Sequence, residues 1–287
     1  MADWSAASTR GPARPSRDRC WIAWGRAGQR RGRRPGPEYF RNRLDARERI
    51  LELVADEPGP VLVGFDFPFG YPAGSGLPAG RALCAKLTKL ILDAPDGSNN
   101  RFEVAGRLNR EIRTSSGSSR GPFWGHPPGR RFSDLRPTKP RPCPVPERRL
   151  VEERLASLGI QSPWKLYTVA SVGSQVLLGL PTVHWLLTRP ELAERARLWP
   201  FETQWDRRLC TSAGGRGPVV LAEIWPRLFD HEHLPFEIKD ARQVAAVRDW
   251  ALDDQAGLSM ALARPGGLTD EEERRCLAVE GWVVGAR

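Results

Sequence analysis

Four acidic positions carry the chemistry this sequence could do. Val61-Leu62-Val63-Gly64-Phe65 is a short β-forming run that ends on Asp66 before Phe67-Pro68-Phe69-Gly70. Val219-Val220-Leu221-Ala222 repeats the arrangement and ends on Glu223 before Ile224-Trp225-Pro226. Asp3-Trp4-Ser5 reads as a third strand end, although only Met1 and Ala2 precede it. Apolar runs closed by turn residues predict buried strands. A carboxylate at such a strand end is costly unless a cation, a proton or a substrate meets it. The plainer alternative for Asp66 is that it caps the turn that follows. A fourth carboxylate comes from a helix expected over 244–263, where Asp253 and Asp254 either face the strand ends or sit on the solvated side.

Clustered oxygen ligands without His or Cys are the set that Mg²⁺ or Mn²⁺ prefers. Such carboxylates repel one another unless a cation or protons intervene. Two ions about 4 Å apart are a common machinery for phosphodiester hydrolysis, one generating hydroxide and the other stabilising the leaving oxygen. Other metal chemistries have less support. The five cysteines are scattered with no C-x-x-C pair, which indicates neither a disulfide framework nor a zinc site. His231 and His233 lack a third ligand nearby and read as a solvated loop.

The elements that must position the acids follow an α/β rhythm. A hairpin pairs the first strand with one over 20–25. An amphipathic helix over 42–55 places Leu44, Ile50, Leu51 and Val54 on one side, and Pro58-Gly59-Pro60 ends it before the central strand. Further helices are expected over 79–92, 100–109 (capped by Asn99 or Asn100), 147–158 and 190–197, with a strand over 198–202 and an edge strand over 282–285. Gly173-Ser174-Gln175 opens an apolar helix whose free N–H groups could meet an anion, or Ser174 is an ordinary cap. Residues 75–160 read as a Pro/Gly/Arg-rich insertion into one 287-residue domain.

The net charge of +10 permits attraction to phosphates, but the excess is mostly Arg in Pro/Gly-rich context over 14–34 and 130–149, which favours a solvated surface. No apolar run reaches the ~18 residues of a membrane helix, and no signal-peptide core opens the chain. A cytoplasmic protein without a membrane partner is expected.

These motifs resemble domain-of-unknown-function family 429, bacterial proteins regarded as predicted nucleases of ribonuclease H-like fold. The resemblance is carried by Asp3-Trp4-Ser5-Ala6, Gly64-Phe65-Asp66-Phe67-Pro68-Phe69-Gly70, Asn99-Asn100-Arg101-Phe102, Gly121-Pro122-Phe123-Trp124-Gly125, Gly173-Ser174-Gln175, Ala222-Glu223-Ile224-Trp225-Pro226 and Asp253-Asp254-Gln255-Ala256. It implies a mixed sheet flanked by helices with acids at one edge. It implies that Asp3, Asp66, Glu223 and Asp254 are the catalytic, metal-binding set, and it makes Ser174, Gln175 and Arg101 candidate substrate contacts. Some similar proteins are linked to molybdopterin-guanine dinucleotide synthesis, for which this chain shows no Gly-rich nucleotide loop.

The leading expectation is a Mg²⁺- or Mn²⁺-dependent phosphodiesterase or nuclease acting on nucleic acid or a phosphorylated small molecule. The alternatives are a nucleotide- or phosphometabolite-binding protein without hydrolysis, and a non-catalytic module that binds through Phe67, Phe69, Tyr71, Phe123 and Trp124.

Overall fold

A computed structural model describes residues 1–117, 120–169, 171–210 and 216–287. Its framework is a mixed sheet of six strands flanked by helices. β1 (Ala2–Asp3), β2 (Cys20–Ile22) and β3 (Glu38–Phe40) form an antiparallel meander. β4 (Val61–Phe65) lies parallel to β1, and β6 (Val219–Glu223) parallel to β4, with β5 (Ala196–Leu198) parallel at the edge. The strand order is β3-β2-β1-β4-β6-β5.

Alternation along the strands assigns the two faces. Val63, Phe65, Val219 and Leu221 enter the main core. There they meet Ile50 and Val54 of α1 (Arg43–Val54), Leu83 and Leu87 of α2 (Gly80–Leu90), Leu108 of α3 (Arg101–Ser116) and Val176 and Leu180 of α5 (Val172–Thr188). The short α4 (Leu150–Arg154) precedes α5. Val220, Ala222 and Ile224 point the other way, against Val247 of α6 (Lys239–Asp253) and Leu258 and Leu262 of α7 (Gln255–Leu262). The acidic α8 (Asp270–Arg275) follows, opened by the Thr269 hydroxyl, which accepts from the Glu272 N–H.

Register decides where the acids point. Ala2 pairs with Phe65 and Phe65 pairs with Glu223. Paired residues of parallel strands share a face, and the next residue along takes the opposite one. Asp3 and Asp66 therefore share one face of the sheet edge, and Glu223 lies on the other. The partner of Asp3 in β2 is Trp21, which packs on Ala241 and Val244 of α6. The first turn of α6 thus stands over the Asp3–Asp66 side.

Helix α5 is apolar on nearly all sides, as a helix enclosed by neighbours must be. It approaches the turn after β4 closely: a Cβ on Gly179 would sit 2.3 Å from the Phe67 ring. Gly179→Ala is expected to cost about 1–3 kcal/mol, because a well-packed core resists an added methyl group. Urea unfolding of the variant checks it.

Several expected elements differ. Residues 190–195 form turns instead of a helix, and the strand lies at Ala196–Leu198 because β6 offers it a pairing edge. The helix expected over 244–263 begins earlier, at Lys239, and breaks at Asp254 into α6 and α7. Val283 makes a single bridge to Glu223 in place of an edge strand.

Candidate functional site: an acid pair at the sheet edge

Asp3 and Asp66 meet at the ends of β1 and β4. Their carboxyl groups share a hydrogen bond, so one of them carries a proton. Asp66 is the better acceptor of the two. Its Oδ1 accepts from the Trp4 N–H at 2.8 Å and its Oδ2 from the Gln175 amide at 3.1 Å. The same amide nitrogen donates to the Trp4 carbonyl at 2.6 Å. Gln175 thereby ties the first turn of α5 to both strand ends.

The electrostatics follow from burial and like charge. Burial and the charge of Asp66 raise Asp3 well above the usual carboxylate range, with Asp240 and Asp18 adding to the effect. Burial pushes Asp66 up to about 6, against hydrogen bonds from Asp3, Trp4 and Gln175 that favour its charged form. Asp240 is raised by burial and then by the charge of Asp18, whose N–H it accepts at 2.8 Å. The proton therefore rests on Asp3, and Asp66 accepts it.

Glu223 does not belong to this site. It is fully buried on the opposite face. Its Oε1 accepts from Arg149 Nη2 at 2.8 Å and from the Trp225 indole at 2.7 Å. Its Oε2 accepts from Arg149 Nη1 at 2.8 Å and from the Phe69 N–H at 3.2 Å. Four donors fill the carboxylate's lone-pair sites and leave none for an ion. Asp254 does not belong either. It caps α7 by accepting from the Gly257 N–H at 2.7 Å. It lies past the far end of α6 from Asp240, about 20 Å along the helix axis at 1.5 Å per residue. Asp253 is engaged by Arg31 and Arg34, which hold it down to about 2.

Asp240, rather than Asp254, is the acid of the late helical region whose charge reaches Asp3. The signal was present: Ala241 extends the apolar pattern of Val244 and Ala245 to a point before the expected helix start. It was obscured because Ile238, at the cap position, offers no side-chain cap. Ser174 and Arg101 lie next door on the other side of Gln175. The buried Ser174 hydroxyl donates to the Leu166 carbonyl at 2.6 Å and accepts from Arg101 Nε at 3.0 Å. Of the aromatic residues expected at a binding surface, Phe67, Phe69, Tyr71 and Phe123 are core residues.

Comparison with family models, with curated proteins and with solved structures finds no match to this chain. Among the described residues, no three His, Cys, Asp or Glu side chains are gathered closely enough to hold one metal ion. Nor is any helix of the described residues long and apolar enough to cross a membrane.

Proposed function

We propose that the Asp3–Asp66 pair is the acidic centre of a Mg²⁺- or Mn²⁺-dependent phosphodiesterase or nuclease, with Asp240 as a nearby proton acceptor. The observation that carries this reading is the contact between two acids at the ends of adjacent parallel strands, in a setting that forces a shared proton. A divalent cation would supply the positive charge the proton now supplies. Hard oxygen donors suit Mg²⁺, which is commonly held by one or two carboxylates, with water and substrate phosphate completing its shell. The mixed sheet with acids at one edge also supports the ribonuclease H-like reading.

Asp3 and Asp66 would hold the ion, which supplies an activated water and a polarised phosphoryl oxygen. Trp4 and Gln175 orient Asp66, so its oxygens do not rotate away when the shared proton leaves. Asp240, raised by burial and near enough to raise Asp3 in turn, would accept a proton there. The β1–β2 connection that supplies Asp18 also carries the exposed Arg10, Arg14 and Arg17. Their charge favours a polyanionic substrate.

The test is Mn²⁺ calorimetry together with hydrolysis of a phosphodiester, on the wild type and on Asp240→Asn and Asp254→Ala. Asp240→Asn should lower activity about tenfold or more, in the range seen for residues that support metal ligands. Asp254→Ala should leave activity unchanged and cost about 1 kcal/mol of stability through its lost helix cap. Activity that depends on Asp254 and ignores Asp240 would overturn the assignment, as would a wild type that binds no divalent ion.

A further inference from the structure

Arg101 is a buried cation that lacks an anion. Only 7 % of it is exposed, yet its hydrogen bonds all go to neutral groups. Nε donates to the Ser174 hydroxyl at 3.0 Å, and Nη1 donates to the Ser8 hydroxyl and to Asn99 Oδ1, each at 2.7 Å. Nη2 has no acceptor among the described residues and is not sealed from solvent. Its two N–H groups therefore face the small exposed part of the residue.

The surrounding charges do not balance. Burial, followed by the charge of Arg43, pulls Arg101 down to about 10. The neighbours are two further guanidiniums, Arg43 and Arg130, and two carboxylates, Glu103 and Asp93. Arg43 is bonded to Asp93, and Arg130 lies 3.6 Å from Glu103. Both carboxylates are thus taken, and one positive charge is left on Arg101. A buried charge is costly without a partner.

Ser8 is the second donor. Its hydroxyl accepts from Arg101 and keeps its own proton to give. Arg43 fixes the segment that carries it, donating to the Ser5 carbonyl at 3.1 Å and to the Ala7 carbonyl at 2.8 Å. The guanidinium edge and the hydroxyl stand beside the first turns of α3 and α5, whose dipoles add to the attraction for an anion.

We propose that Arg101 Nη2 and the Ser8 hydroxyl form a binding site for a phosphoryl group. A guanidinium fork with a neighbouring hydroxyl suits the tetrahedral, multiply charged oxygens of phosphate. Ser174, which touches Arg101, and Gln175, which touches Asp66, are consecutive residues. On the hydrolase reading, the site would hold a phosphate of the substrate other than the one attacked at Asp3 and Asp66. Phosphate binding itself stands apart from the hydrolase reading; only this link to the acid pair rests on it.

The experiment is calorimetric titration of the full chain with inorganic phosphate in excess EDTA. One saturable site is expected in the wild type. Arg101→Lys keeps a charge but loses the fork, and should weaken binding about tenfold or more. Ser8→Ala, at an exposed position, should weaken it about threefold to tenfold. Asp3→Asn should leave the site in place. No saturable binding by the wild type, or wild-type affinity in both Arg101→Lys and Ser8→Ala, overturns the proposal. Phosphate binding at Arg101 with no metal-dependent hydrolysis would retain this site and reject the hydrolase reading. Hydrolysis without phosphate binding would do the reverse.

Discussion

Asp3→Asn is expected to abolish metal-dependent hydrolysis while making the protein more stable above neutral pH. The two effects have one cause. Asp3 holds the shared proton because burial and Asp66 disfavour its charge. An asparagine amide keeps the donor that Asp66 accepts and removes the carboxylate that a cation would need. A bound ion supplies several kcal/mol of transition-state charge stabilisation, so losing it should cost on the order of a thousandfold in rate. Asp66→Asn makes a useful contrast. Asp66 accepts from Trp4 and Gln175 on its two oxygens. Its amide nitrogen would face one of those donors, so Asp66→Asn should lose activity without gaining stability.

The pH dependence has a definite sign. Both carboxyls have folded-state values raised above the ordinary 3.8 of the unfolded chain, Asp66 to about 6 and Asp3 well above the usual carboxylate range. The folded protein therefore binds more protons than the unfolded one above about pH 4, and stability falls as pH rises. The loss begins near the unfolded value and continues through pH 6 and beyond. Asp3 and Asp66 are each only half-buried as whole residues, so the Asp66 share is about 1–2 kcal/mol, less than its full shift would give. Saturating Mg²⁺ should offset the loss by binding the folded state alone. Urea unfolding at a series of pH values, with and without Mg²⁺, reads all of this. A wild type whose stability does not fall with pH, or an Asp3→Asn variant that still hydrolyses a phosphodiester, would reject the acid-pair site.

The sequence pattern made the strand ends legible and their faces illegible. Val61–Phe65 and Val219–Glu223 are strands where their apolar runs place them, and they are paired neighbours. Whether their terminal acids meet depends on register, and one residue of offset reverses a side chain's face. Asp66 stands one position beyond the Phe65–Glu223 pair, which sends the two acids to opposite sides of the sheet. Nothing in either local sequence records that offset. Helix α1 was legible because its start has a mechanism: the Asn42 side chain accepts from the Asp45 N–H at 2.8 Å. The start of α6 has no such cap, which concealed Asp240. Strand β5 is Ala-Arg-Leu, without a β-branched residue, and owes its conformation to β6. The site's acids could thus be gathered as types, but choosing among them required the pairing of strands.

Glu223→Ala should unfold the protein more readily, by about 3–5 kcal/mol, in place of the selective loss of metal binding that a ligand would show. Glu223 and Arg149 are both fully buried and joined by two hydrogen bonds of 2.8 Å. Arg149 also donates to Glu152 at 2.9 Å and to the Glu280 carbonyl at 3.0 Å. Burial alone would pull the guanidinium down, but Glu223 and Glu152 hold it well above its ordinary range. Removing Glu223 leaves a charged guanidinium in the core with half of its acceptors gone, and it also orphans the Trp225 indole and the Phe69 N–H. Phe69 belongs to the turn that follows Asp66, so the acid pair would be disturbed as a consequence of the collapse. Two measurements separate this from a catalytic role. In the double variant Arg149→Met/Glu223→Leu, apolar groups of similar length replace both charges, and stability should recover most of what Glu223→Ala loses. Metal affinity at Asp3 and Asp66 should recover with it. A double variant that is stable yet binds no Mn²⁺ would return Glu223 to the metal site and reject its assignment as the counter-ion of Arg149.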